Sequence, residues 1–126
     1  MKLGTFMAIA AVLAFVFGLA FILVPAQLMS LYGVTLDAAG QWVGRYLGSA
    51  FIGIAVLTWL SRNATQGEAL RAIVLGEFVL SVTGLVVAVL DRLYGTGNAL
   101  VWSTVAIYLF LALGFGYFQF VKPAGS

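Results

Sequence analysis

The sequence predicts an all-α membrane protein, a single domain over residues 1–126 in which four transmembrane helices form an antiparallel bundle. Hydrophobic residues make up 63% of the chain and charged residues only 8%, whereas about a quarter of the residues in a soluble domain are charged. The mean hydropathy is +1.14. Four long stretches carry almost no charge, and short connections with turn-forming residues separate them.

The four predicted helices follow from the positions of the charges. Residues 3–24, 46–61 and 99–121 are uncharged, and residues 72–90 contain a single charged residue, Glu77. A helix needs roughly 20 apolar residues to cross the hydrocarbon core. The second stretch reaches that length only if its helix begins near Gln41 and includes Arg45. The connections are predicted at residues 31–40, 61–68 and 93–98.

The first stretch shares two features with a signal peptide. Lys2 precedes it, and small residues follow in "VPAQ" at 24–27. However, the apolar region of a signal peptide spans roughly 7 to 15 residues, and this stretch is longer. We therefore expect it to remain as a transmembrane helix.

The basic residues divide unequally between the two predicted sides of the membrane. With four spans, both termini and the middle connection share one side. That side holds Lys2, Arg62, Arg71 and Lys122, and the opposite side holds Arg45 and Arg92. The positive-inside rule then predicts an inner-membrane protein with both termini in the cytoplasm.

An internal repeat suggests a duplicated helical hairpin. The segment "LMSLYG" at 28–33 recurs as "LDRLYG" at 90–95, an offset of 62 residues. This offset gives 14 identities over 64 aligned positions, against roughly 5 or 6 expected from the composition. Glu77 aligns with Phe15 and Arg45 with Ile107, so the ionisable residues depart from the repeat.

Glycines recur at four-residue spacing in the second predicted helix, at Gly40, Gly44 and Gly48. Small residues on one face of a transmembrane helix let another helix approach closely. Two interpretations remain open. The glycines pack against a helix of the same chain, or they form a seam with a second copy or with a membrane-protein partner.

Glu77 is the residue that most needs an explanation, because an ionised carboxylate in hydrocarbon costs several kcal/mol. Uncharged polar residues are predicted at its level: Thr58, Ser81 and Tyr117, with Gln119 and Thr5 slightly nearer the cytoplasm. We predict Glu77, Tyr117, Thr58 and Ser81 as ligand-binding residues of a small polar pocket, in which burial favours the protonated form of Glu77. A purely structural hydrogen bond and a proton-coupled transport site are the alternatives.

Arg45 is predicted to pair with a different carboxylate. A rise of ~1.5 Å per residue in a core ~30 Å thick separates the levels of Arg45 and Glu77 by about 15 Å, which is more than two side chains usually bridge. Asp91 is predicted near the outer end of the third helix, close to the level of Arg45. An Arg45–Asp91 ion pair between the second and third helices is therefore expected.

The composition excludes several classes of function. The chain has no cysteine and no histidine, which excludes thiol chemistry, histidine-ligated metals and a Ser-His-Asp triad. Four scattered carboxylates are a poor basis for a two-metal site. We predict no catalytic residue, no metal and no cofactor, and six basic residues are too few to form a nucleic-acid-binding face.

Two segments carry a resemblance to known proteins: "VPAQLMSLYGV" at 24–34 and "GQWVGRYLGSAFIGIAVLTWLSR" at 40–62. With a closing "LFLALGFGYF" helix, the chain resembles a broad group of small bacterial four-helix membrane proteins of unknown function. More distantly, it is similar to the DoxX-like membrane proteins, some of which accompany quinone-linked oxidoreductases. The resemblance makes Arg45 the family-type position and implies no catalytic residue.

Three functional hypotheses follow, of which the last is an enzyme subunit whose chemistry a partner supplies, because the chain has no cysteine and no histidine. The first is a non-enzymatic accessory or assembly protein of the inner membrane, with membrane lipids as its partners, that binds a lipid or a quinone-like amphiphile between its helices. The alternative is a small proton-coupled transporter or channel that uses Glu77 as its protonatable group.

Overall fold

A computed structural model describes residues 1–65 and 67–121 of the chain. Lys122, one of the basic residues that predict the orientation, lies outside these described residues. The described part is all-α, as predicted, without a strand. Its elements are α1 (Leu3–Leu23), α2 (Pro25–Leu31), α3 (Ala38–Ser61), α4 (Glu68–Leu93), α5 (Val101–Gly116) and a closing π-helical turn (Tyr117–Val121).

Four helical segments are long and apolar enough to cross a membrane: α1, α3, α4, and α5 together with the π-helical turn. Their exposed faces are apolar. In α1, for example, Val12, Phe15 and Val16 are all about half exposed or more. An apolar exterior of this kind suits a hydrocarbon environment and is consistent with a membrane protein.

The chain divides into two compact units. The first hairpin is Lys2–Arg62 and contains α1, α2 and α3; the second hairpin begins at Asn63 and contains α4, α5 and the π-helical turn. In the first hairpin, Gly18 lies against Gly48 and Pro25 against Gly44. From the first contact to the second, the residue number increases along α1 and α2 and decreases along α3, so these helices are antiparallel. The same pattern holds for α4 and α5.

The first long helix ends at Leu23, and the residue before Pro25, Val24, is its non-helical C-cap. A proline ring disfavours helical dihedrals at the preceding residue and supplies no N–H group. Val24 accordingly has φ −140° and ψ 55°, and the short helix α2 starts afresh at Pro25, where a missing N–H costs nothing. In the repeat alignment Pro25 corresponds to Val87, and α4 continues through that position without a break.

The second transmembrane helix begins earlier than its uncharged core suggests. Asp37 is its N-cap, and the side-chain Oδ1 accepts a hydrogen bond of 2.7 Å from the backbone N–H of Gly40. This cap starts α3 at Ala38, so the helix includes Arg45. The expectation that the helix begins near Gln41 and includes Arg45 is confirmed, although the first helical residue lies three positions earlier.

The repeated "LYG" segments end their helices in the same way. Tyr32 has φ −88° and ψ 4°, and Tyr94 has φ −87° and ψ 3°. The following glycines, Gly33 and Gly95, have φ of 76° and 79°. In each hairpin the glycine N–H donates to the carbonyl three residues back, and the next N–H donates to the carbonyl five residues back. Both ends are Schellman motifs, at positions 62 residues apart.

The two hairpins pack their helices differently. In the first, a Cβ atom placed on Gly48 would lie 2.7 Å from the backbone oxygen of Gly18, so the two helices meet backbone to backbone. In the second, the ring of Tyr108 covers Gly84, and the ring of Phe78 covers Gly116. The repeat therefore preserves the turns but not the helix contacts.

Candidate ligand site in the second hairpin

Glu77 lies on the buried face of α4. The buried residues of this helix are Leu70, Val74, Glu77, Ser81 and Ala88, which recur at the three- and four-residue spacing of one helix face. The side chain of Glu77 is only 9% exposed. The carboxyl group is therefore covered by protein, as expected for ionisable residues within membrane helices.

Ser81 lies one turn further along the same face and is buried. Its hydroxyl donates a hydrogen bond of 2.7 Å to the backbone carbonyl of Glu77. A serine hydroxyl has a single proton, which here is committed to the backbone rather than to the Glu77 carboxyl. In this conformation, Ser81 offers a ligand or neighbouring side chain only lone pairs.

The π-helical turn faces α4 close to Glu77. The rings of Phe78 and Phe120 meet edge to face with their centroids 5.2 Å apart. Phe78 directly follows Glu77, and Phe120 directly follows Gln119. With a rise of ~1.5 Å per residue, Glu77 and Gln119 lie within about one helical turn of each other along the hairpin.

Gln119 contributes a buried polar atom to this level. Its side-chain Oε1 is shielded from solvent and accepts no hydrogen bond within the part of the chain that the structure describes. Nearly all buried polar atoms in folded proteins have a partner, so this carbonyl oxygen stands out. Single π-helical turns are also found frequently at functional sites.

Tyr117, the first residue of the turn, lies at the edge of this region. Its side chain is 46% exposed, and its ring packs against the buried ring of Phe118 with centroids 5.1 Å apart. The second hairpin thus places Glu77, Ser81 and Tyr117 at neighbouring levels along α4, since Phe78 packs against Gly116. Sequence reasoning gave Gln119 only a secondary place, although a glutamine three residues after Gly116 in an apolar helix end was a visible signal.

Thr58, the fourth predicted ligand-binding residue, belongs to the first hairpin. It lies on the buried face of α3 with Gly44, Gly48 and Ala55, and its side chain is fully buried. Its place in a site with Glu77 stays a prediction.

The predicted Arg45–Asp91 ion pair joins residues of different hairpins and stays a prediction. Arg45 is exposed on α3. On the same helix, the rings of the exposed residues Trp42 and Tyr46 meet edge to face at 5.6 Å. Asp91 is half-buried in the last turn of α4. Its backbone oxygen accepts the N–H of Thr96 in the Schellman motif.

The glycines of the α3 series pack against residues of the first hairpin. Gly44 and Gly48 are buried, with Gly44 against Pro25 and Phe21 and Gly48 against Gly18. Gly40 lies beside Leu36 and the capping carboxylate of Asp37. These contacts agree with packing inside one chain, while a role for the series toward a second copy or partner stays a prediction.

Comparisons of the whole chain with protein-family models, with curated proteins and with solved structures give no match. The resemblance to small four-helix and DoxX-like membrane proteins therefore stays a prediction that rests on the quoted motifs.

Proposed function

We propose that this protein is a non-enzymatic accessory protein of the bacterial inner membrane that binds a lipid-like amphiphile beside Glu77. The single observation that carries the proposal is the burial of the Glu77 carboxyl on the protein-facing side of a membrane-spanning helix. A carboxyl there costs several kcal/mol unless a partner compensates for its lost hydration. Residues of this kind are functional candidates by default.

The surroundings of Glu77 favour a ligand that is part apolar and part polar. Phe78, Phe118 and Phe120 supply aromatic surface at this level, while Glu77, Ser81 and Gln119 supply polar atoms. Sites for small molecules commonly combine an apolar lining with a few placed polar groups. The half-exposed Tyr117 would mark the entrance from the membrane.

We further propose the orientation that the basic residues predict, with both termini in the cytoplasm. Lys2, Arg62 and Arg71 would then lie on the cytoplasmic side. Arg62 is held in place at the end of α3, where its guanidinium stacks on the ring of Trp59 at 3.9 Å and its Nη1 donates to the Trp59 carbonyl at 2.6 Å. An arginine stacked on a tryptophan suits the membrane–water interface.

Native mass spectrometry of the protein extracted from bacterial membranes in a mild detergent tests the proposal. The wild-type protein should retain a bound amphiphile, which solvent extraction then identifies. Glu77→Leu should retain it at least about tenfold less, since the loss of one strong polar contact is worth about that factor. Glu68→Gln is the matched control, because Glu68 is the exposed first residue of the same helix.

Equal retention by the wild-type protein and by Glu77→Leu would contradict the proposal. A second assay addresses transport. Protein in liposomes with a pH-sensitive dye inside should show no proton flux above empty liposomes. Flux that the wild-type protein supports and Glu77→Gln abolishes would replace ligand binding by proton-coupled transport.

A further inference from the structure

Two oxygen atoms in the second hairpin near the level of Glu77 can accept a further hydrogen bond, which bears on the chemistry of the ligand. Gln119 presents a buried Oε1 that accepts no hydrogen bond from a described residue. The single proton of Ser81 is committed to the Glu77 carbonyl, so its oxygen can only accept. Ser81 therefore has no proton left to give, and at Gln119 the buried atom without a partner is a hydrogen-bond acceptor.

The described cations of the second hairpin lie too far along α4 to hold an anionic group at this level. In the described part of the second hairpin the basic residues are Arg71 and Arg92. Arg71 is exposed and lies six residues before Glu77, about 9 Å along the helix. Arg92 lies fifteen residues after Glu77, and its Nη1 points to the carbonyl of Gly97 at 3.4 Å. A phosphate beside Glu77 would find no charge partner among them.

A buried acceptor without a donor costs free energy that a bound donor recovers. The penalty for leaving such an atom unsatisfied corresponds to roughly a five- to hundredfold change in an equilibrium constant. A ligand that brings an O–H group to Gln119 gains this factor over a ligand of the same shape without it.

From these observations we infer that the amphiphile has a hydrogen-bond-donating head group, such as a hydroxyl, and that Gln119 Oε1 is its acceptor. This inference deepens the proposed function and rests on it. It assigns a recognition role to the π-helical turn, which carries Gln119, and it separates the ligand from amphiphiles that have no hydrogen-bond donor.

A matched pair of ligands tests the inference directly. 1-Hexadecanol and hexadecyl methyl ether have the same alkyl chain, but only the alcohol has a proton to donate. Titrated into the purified wild-type protein and followed by native mass spectrometry, the alcohol should bind about five- to tenfold more tightly than the ether. In Gln119→Met, which removes the amide at similar size, the two should bind equally. Gln27→Met, at an exposed position of α2, should keep the preference.

The outcomes distinguish this inference from the proposed function. Equal binding of alcohol and ether to the wild-type protein would overturn the inference and leave amphiphile binding intact, since it would mean that the amide turns its NH₂ group inward. An alcohol preference that persists in Gln119→Met would place the acceptor elsewhere and also overturn it. Failure of both compounds to bind, together with no retained amphiphile from membranes, would remove the proposed function itself. The wild-type comparison holds even if Gln119→Met does not fold.

Discussion

The backbone oxygen of Gly18 fills the space in which any side chain on Gly48 would have to lie. A Cβ atom there would come within 2.7 Å of that oxygen and within 2.8 Å of Ile22. Since a backbone atom cannot turn aside as a flexible side chain can, α1 and α3 hold this spacing only while both positions remain glycine. In lipid, such close van der Waals contact is a main source of helix association.

We expect Gly48→Ala to lower the free energy of unfolding by about 1 to 3 kcal/mol, because overpacking forces the helices apart. Reversible denaturation in mixed detergent micelles, followed by circular dichroism, measures the change. Gly53→Ala is the control in the same helix, since nothing lies within 4 Å of its added Cβ. It should leave stability unchanged or raise it slightly through helix propensity. If Gly53→Ala lowered the free energy of unfolding as much as Gly48→Ala does, the close contact between α1 and α3 at Gly48 would not be the cause.

The contact between Gly84 and Tyr108 leads to a second stability prediction. Here a side chain, rather than the backbone, occupies the space that an added Cβ atom would need. Gly84→Ala should lower the stability of the second hairpin by about 1 to 3 kcal/mol, as its Cβ would lie 2.6 Å from Cζ of the Tyr108 ring. In the double variant with Tyr108→Ala, the cost of Gly84→Ala should disappear. A double-mutant cycle on unfolding free energies measures this coupling. Gly76→Ala, with nothing within 4 Å, is the uncoupled control in α4.

The Schellman motifs predict a purely backbone effect. Gly95 has φ 79°, yet nothing lies within 4 Å of a Cβ placed on it. Gly95→Ala should therefore cost about 1 kcal/mol through its left-handed conformation alone, and Gly95→Asn should cost less, because asparagine adopts that conformation more readily. Thermal unfolding should give melting temperatures that decrease from the wild-type protein to Gly95→Asn and then to Gly95→Ala. Equal stability of the alanine and glycine forms would mean that the turn changes its conformation in solution.

Much of the fold could be predicted because charge and turn chemistry are local signals. The charge-free stretches located the four spanning segments, and the spacing of the "LYG" segments identified two turns that have the same hydrogen bonds. The inclusion of Arg45 in α3 followed from the length that a membrane span requires. In each case, a few neighbouring residues contain the information.

The helix contacts and the details of the site could not be predicted in this way. Gly48 and Gly84 are both glycines in apolar helices, and only the structure shows that one meets a backbone and the other a tyrosine ring. The Ser81 hydroxyl can rotate toward either the carboxyl or the carbonyl of Glu77, and spacing alone does not choose between them. The π-helical turn lies in a segment whose composition suits an α-helix equally well.

The matching turns at Gly33 and Gly95 have a consequence for how a single buried acid can exist in such a protein. Two identical hairpins that associate as separate chains must carry every feature twice, so a carboxyl at the Glu77 position would face the membrane interior in duplicate, at double the energetic cost. Once the two copies share one chain, each can change alone. The first hairpin has Phe15 at the corresponding position and a close backbone contact between its helices, while the second has the acid, the glutamine and aromatic rings near them. Within one chain, each hairpin can thus carry buried groups and helix contacts that the other lacks.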